Sequence, residues 1–294
     1  MSDSYQAVGN RLKGMFWGLV VGDCLGSPIQ FTSKDSHPHI TEMKPCPCFK
    51  TPAGYWTDDA AMAFCVAESF VRLGGAYDLA DIGRNFVRWF DEGFWSSLPY
   101  AFDIGNATTS ALIRVRRDGS LANGTEETQG NGSIMRLAPS YIMSRGRGEE
   151  GVRLRQQISD LTHRSAVVRA VVDKMSAILD EHVEGRRTAI RSRYRTRDEV
   201  DNSGWAVSTL EAALWAFETT GSFEDGLIAA VNLGGDADTI GAVYGQLGGG
   251  YYGFTAIPER WLDAVKEREK IDCLIDALVS LSAGTTCDAP RATP

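Results

Sequence analysis

Apolar residues recur along most of this chain at intervals of three and four. Over residues 10–25 that spacing places Leu12, Met15, Phe16, Leu19 and Val20 on one face, which predicts a helix. The glycines and proline of Gly22-Asp23-Cys24-Leu25-Gly26-Ser27-Pro28 are expected to stop it and leave Asp23 in a turn that could face a site. After Thr57 the same period runs through Met62, Cys65, Val66, Phe70 and Leu73 as far as Gly74-Gly75, and Asp78 reads as the cap of a helix carrying Ile82, Phe86, Trp89 and Phe90. Further helices are predicted over 106–117, 133–143, 152–161, 166–181, 205–219, 223–231, 237–252, 259–265 and 271–281. No run alternates with period two between hairpin turns, so the expected class is all-α. No boundary divides the chain. The polar link 186–203 is the best candidate, yet the most distinctive segments lie on both sides of it, so a single domain over 1–294 is expected, with disordered ends near 1–6 and 285–294.

Composition narrows the partners more than the fold. With 43% hydrophobic and 23% charged residues in 294, the chain is an ordinary globular one with enough length for a large core. Its net charge of −8 argues against nucleic acid as an electrostatic partner. No apolar run is long enough to span a bilayer and the first residues do not form a secretory signal, so a cytoplasmic protein, expected to be monomeric, is read here. Its six cysteines then read as reduced thiols. The irregular stretch 32–52 holds His37, His39, Cys46 and Cys48, but Cys-Pro-Cys is not the usual zinc spacing, and an ordered surface loop is expected instead.

Two acidic segments carry the chemistry. Thr57-Asp58-Asp59 and Asp236-Ala237-Asp238-Thr239 each gather two carboxylates and a hydroxyl immediately before a helical run. Either one alone is also what an ordinary capped helix start looks like. Their matched composition is what separates them from caps, together with the tight Gly234-Gly235 entry to the second. Oxygen ligands of this kind suit hard divalent cations, and four carboxylates could neutralise two of them. Three other segments are candidates. Asn131-Gly132-Ser133, flanked by Gly130, could present amides to a phosphate at a helix start. Asp103, between Phe102 and Ile104, is a carboxylate among apolar neighbours, suited to proton transfer if its pKa is raised. His163 lies between two helices, and Trp205 heads another; each is either a ligand contact or an ordinary turn or core residue.

These segments, taken together and in this order, resemble the ADP-ribosylglycohydrolase family over most of the chain. The resemblance implies a compact, all-helical orthogonal bundle with a binuclear Mg2+ or Mn2+ centre in a cleft. By that likeness Thr57, Asp58, Asp59, Asp236, Asp238 and Thr239 would hold the metals. Asn131, Gly132 and Ser133 would hold a diphosphate, Asp23 would face the substrate, and His163 and Trp205 would line the ribose or adenine end. The implied reaction is hydrolysis at the anomeric carbon of ADP-ribose carried on a protein arginine, releasing ADP-ribose, with a metal-activated water as nucleophile. Asp59 and Asp238 would assist that water, and Asp103 would transfer a proton. One position departs from the family pattern: Gln30 stands where a glutamate is usual, so any role of that acid as a base is lost here. The competing readings are a hydrolase of another ADP-ribose conjugate (nucleic acid, serine or a small molecule) and a catalytically silent binding relative.

Overall fold

A computed structural model describes residues 3–284. The helices are α1 (Asp3–Gly26), α2 (Asp58–Arg72), α3 (Leu79–Glu92), α4 (Asn106–Asp118), α5 (Ala138–Ser144) and α6 (Gly148–Asp160), followed by α7 (Ala166–Val183), α8 (Ala206–Thr219), α9 (Phe223–Val231), α10 (Ala237–Tyr252), α11 (Glu259–Ala264) and α12 (Arg268–Ser282). Among the described residues no strand forms, and only the isolated bridges Cys46–Thr51 and Gly130–Trp205 pair backbones in extended fashion. The expected all-α class stands. Met1, Ser2 and 285–294 lie outside the described residues, Cys287 with them; at the other end, helix already begins at Asp3, inside the stretch expected to be disordered.

The centre of the molecule is the antiparallel pair α1 and α10. From Leu12 to Leu25 nearly every α1 side chain is buried, so this helix is covered on all sides rather than on one stripe. Its glycines fall every fourth residue (Gly14, Gly18, Gly22, Gly26) and those of α10 do the same (Gly241, Gly245, Gly249). The two rows meet. A Cβ on Gly18 would lie 2.1 Å from the carbonyl oxygen of Gly245, and one on Gly22 2.1 Å from that of Gly241. Backbones this close admit no side chain between them. The expected end at Leu25 stands to within one residue, since α1 runs to Gly26, and the helix starts earlier than expected, at Asp3. The packing corrects the place of Asp23, which lies in the last turn of the helix because the glycines there serve helix contact. Around the pair, Phe16 and Phe64 stack with ring centres 5.8 Å apart, and a continuous buried apolar cluster extends from Leu12 to Leu278.

A second correction concerns 133–143, where helix begins only at Ala138. Residues 131–137 form successive turns instead. The cause is Gln246 of α10. Its side-chain nitrogen donates to the carbonyls of Ile134 (3.1 Å) and Met135 (2.9 Å), and its oxygen accepts from Ala138 N (2.8 Å). A distant amide thus takes the hydrogen bonds that a continuous helix would use internally. Among the described residues of the 32–52 loop, no three His, Cys, Asp or Glu side chains gather on one point. The sulfurs of Cys46 and Cys48 lie 3.1 Å apart, but Cys46 donates to Ser27 O and His37 Nδ1 sits against Pro38 O.

Candidate active site

The α1–α10 pairing sets the end of one helix beside the start of the other, and Asp23 extends the arrangement to α2. Its buried carboxylate accepts from Thr57 N (3.0 Å), the Thr57 hydroxyl (2.9 Å) and Ala60 N (3.0 Å). Asp23, expected in a turn facing the substrate, therefore caps α2 from a neighbouring helix and is not among the residues that line the cleft. Burial pushes its pKa up to about 7, against the pull of the Thr57 and Ala60 bonds.

With Asp23 in that role, the ordinary-cap reading of Thr57 loses its object. Neither Thr57 nor Asp236, the residues preceding α2 and α10, makes a side-chain cap bond to its own helix. The two segments instead meet each other: Asp59 Oδ2 lies 3.3 Å from the Thr57 hydroxyl and 3.5 Å from that of Thr239, 180 residues away. Asp238 Oδ1 accepts from Thr239 N (2.9 Å), and Asp236 accepts from Asn131 Nδ2. The expected tight entry to α10 is present, since Gly234 and Gly235 have φ of 66° and 63°, and a Cβ on Gly235 would lie 2.2 Å from Asn202 O.

Burial and then mutual repulsion hold Asp58, Asp59 and Asp238 well above the usual carboxylate range; burial also raises Asp236. The donor set fits hard divalent cations in its chemistry. It fits in one geometric respect as well, because Asp59 Oδ1 is buried with no hydrogen-bond partner. Among the described residues no three Asp, Glu, His or Cys side chains close on one point, so these oxygens form an assembled donor set rather than a finished cage.

A cleft of about 620 Å³ opens over this corner. Of the residues singled out from the sequence, Asp58, Asp236, Asp238 and Thr239 line its floor, and Asp103, Asn131, Gly132 and His163 line its walls. Thr57 and Asp59 are buried beneath the lining, as is Ser133, whose hydroxyl has no partner. Trp205 does not line the cleft. It is 38% exposed, with its indole N–H on Gln129 Oε1 (3.1 Å) and Arg193 over its ring.

Asp103 is held in a left-handed backbone conformation (φ 59°), which a non-glycine residue adopts only under local constraint. Burial raises its pKa to about 6, while bonds from Gln30 and Asp238 oppose the rise. Gln30 Nε2 donates to Asp103 Oδ2 at 2.9 Å. The residue that looked like a lost base is a hydrogen-bond donor to the carboxylate facing the cleft, a role an ionised glutamate could not fill.

His163 is fixed by a buried relay that the sequence reading missed. Arg136, fully buried with its guanidinium over the Phe86 ring, donates to Gly132 O and to the Thr162 hydroxyl (2.6 Å). The Thr162 oxygen lies 2.8 Å from His163 Nδ1. Arginine cannot accept, so Thr162 receives that bond and its own proton goes to Nδ1; the reverse arrangement strands a buried hydroxyl proton. The imidazole then carries its proton on Nε2. Burial, then the nearby Arg136 charge, pushes its pKa down to about 3, so it is a neutral donor at the cleft wall. Arg136 sits in the glycine-flanked segment already singled out, but nothing local marked it as buried.

The fold and this cleft define an all-helical protein with an oxygen-rich acidic centre built from two helix starts. Comparison with known proteins then identifies it: the chain belongs to the ADP-ribosylglycohydrolase family, whose model matches residues 3–287, and it is an enzyme of that family. It is 33% identical to the ADP-ribosylarginine hydrolase Tri1 of Serratia proteamaculans over 92% of this chain and 79% of that protein. It is 29% identical to the ADP-ribosyl-[dinitrogen reductase] glycohydrolase of Rhodospirillum rubrum, over 94% and 98%. A solved chain described as an ADP-ribosylglycohydrolase-related protein complex superposes with a TM-score of 0.81 at 34% identity, covering 94% of this chain and 99% of that one. Among the described residues no helix is long and apolar enough to cross a membrane.

Proposed function

We propose that the protein removes ADP-ribose from modified arginine side chains of proteins, with two divalent cations, Mg2+ or Mn2+, held by Thr57, Asp58, Asp59, Asp236, Asp238 and Thr239. The observation that carries this reading is the meeting of Asp59 with Thr239 beneath a cleft that Asp103 faces. Choice of arginine is supported by the relatives from Serratia proteamaculans and Pseudomonas putida, both named ADP-ribosylarginine hydrolases, at 33% and 34% identity. When bound, the cations supply Lewis acidity and a water nucleophile of lowered pKa. The chain's own residues do the rest. The carboxylates of Asp58, Asp236 and Asp238 on the cleft floor favour the positive charge that develops at the anomeric carbon. Asp103 handles the proton of the leaving guanidine nitrogen, its carboxylate kept in place by Gln30. Asn131 and Gly132 line the wall where a diphosphate would rest, with the unpartnered Ser133 hydroxyl behind them, and His163 offers its Nε2 proton to a ligand oxygen.

The test is release of ADP-ribose from a modified arginine protein with Mg2+ or Mn2+, alongside serine-linked and DNA-linked substrates. Rates with Asp59→Ala and Asp103→Ala are expected to fall about 10²-fold or more. Cation binding measured by calorimetry should be lost only in Asp59→Ala. Full activity of Asp103→Ala removes its proton-transfer role, and preferential cleavage of the serine or DNA conjugate overturns the arginine assignment.

A further inference from the structure

A second cleft, of about 470 Å³, shares no lining residue with the first. It lies where the end of α5 and the glycine-flanked loop Arg145-Gly146-Arg147-Gly148 meet α6 and the C-terminal part of α7. Three arginines line it, and their charges are not evenly compensated. Arg145 is paired with Glu184 (2.9 Å) and Arg186 with Glu181 (2.7 Å). Arg155 is the deepest, 7% exposed, and among the described residues no carboxylate lies within ion-pair distance of it. One of its nitrogens donates to Ser144 Oγ (2.8 Å), and its guanidinium faces the Tyr141 ring at 6.0 Å, but its Nε is buried with no partner. Asp180, also in the lining, is engaged by the Tyr141 hydroxyl (2.7 Å). Burial lowers the pKa of Arg155, and the charge of Asp180, beyond ion-pair distance, offsets this only in part, so a further anion beside the guanidinium would be stabilising.

The start of α6 faces the same requirement from the other side. Its preceding residue, Arg147, makes no side-chain cap bond, and Gly146 and Gly148 of the loop before it line the cleft. Glu149, in the first turn, turns to Arg153 (3.3 Å). A helix start without a side-chain cap and a buried guanidinium without an ion pair thus border one cavity, the donor combination that phosphoryl oxygens take up well.

We propose that this cleft is a binding site for a phosphoryl group, with Arg155 as its principal partner and Arg145 and Arg186 at its sides. The site is independent of the hydrolytic reading given above.

Calorimetry with inorganic phosphate and with pyrophosphate, run with ADP-ribose present to fill any phosphate subsite of the first cleft, tests it. Saturable binding of one anion per chain is expected, weakened about tenfold or more by Arg155→Met and by Arg145→Gln. In phosphate-free buffer Arg155→Met should melt no lower than the wild type, because the unpaired charge is gone, and phosphate should raise the melting temperature of the wild type only. Absence of saturable binding, or binding unchanged in both variants, overturns the proposal. If Arg155→Met is markedly destabilised or does not fold, the affinity of Arg145→Gln decides: a loss of about tenfold or more supports the proposal and unchanged binding overturns it.

Discussion

Thr162 shows how much a buried hydroxyl can decide at the scale of a single residue. It accepts from Arg136 and donates to His163, so removing it strands one buried donor and one buried acceptor together. Thr162→Val keeps the shape and removes both bonds. The variant should lose about 1–3 kcal/mol of stability and roughly tenfold in kcat/KM, with Thr162→Ser restoring both. Imidazole nitrogen shifts in an NMR spectrum give the sharper readout: one Nε2-protonated form in the wild type and a mixture of tautomers in the valine variant. A single unchanged tautomer in Thr162→Val would show that the relay does not set it. At this scale the sequence was legible in residue type and illegible in partner. Asp58, Asp59, Asp236 and Asp238 stood out because their composition is unusual within a few residues. Nothing near Asp23 indicated that its acceptors would be used by a helix start 34 residues later, and Gln30 looked like a loss until its partner Asp103 was in view.

At the scale of elements, the glycine rows of α1 and α10 determine where the acidic corners end up. Any side chain in the seam separates the helices and moves the start of α10 away from Asp59. Gly18→Ala would put a methyl 2.1 Å from the Gly245 carbonyl oxygen, a contact only backbone movement can relieve. Its expected destabilisation is about 3 kcal/mol or more, beyond common overpacking because the obstacle is main chain. Gly9→Ala, on the same helix with nothing within 4 Å, should be neutral or stabilising by about 0.5–1 kcal/mol. Chemical denaturation of the two variants checks the contrast, and equal effects would remove the seam from the argument. The four-residue glycine spacing was present in the sequence, yet the same residues also read as a corner, which is how Asp23 came to be expected outside the helix rather than in its last turn. Helices with a clean apolar period, such as 223–231 and 237–252, agree with the observed α9 and α10 in both bounds. The start of α5 could not be read locally, because Gln246, 108 residues from Ala138, displaces its first turn.

Over the whole molecule, stability should respond to pH through His182 and to cations through the acidic corner. His182 Nδ1 bonds Leu247 O (2.9 Å), its Nε2 is buried without a partner, and its ring packs against Phe217 and Tyr251. Burial first, and Arg187 to a smaller extent, push its pKa down to about 4 from 6.5, against the opposing effects of the Leu247 hydrogen bond and of Glu181. The unfolded chain therefore binds this proton more readily, so the histidine's contribution is intact above pH 6.5 and is lost as pH falls toward 4. Relative to His182→Phe, the wild type should lose about 2 kcal/mol between pH 7.5 and 5; parallel profiles would exclude the histidine. The cation effect has the opposite origin. Four carboxylates at two helix starts repel one another in the metal-free protein, and the segments they belong to are joined there chiefly by the Asp59–Thr239 contact. A divalent ion binding the folded state alone, at a hundred times its dissociation constant, should stabilise it by about 2.7 kcal/mol, a rise of several degrees in Tm that chelator reverses. Asp59→Asn removes one ligand charge with little change of shape, so its metal-free Tm should match or exceed the wild type's while the cation-induced rise disappears. A wild-type Tm indifferent to Mg2+, Mn2+ and chelator alike would mean that these carboxylates face each other for some purpose other than holding metal.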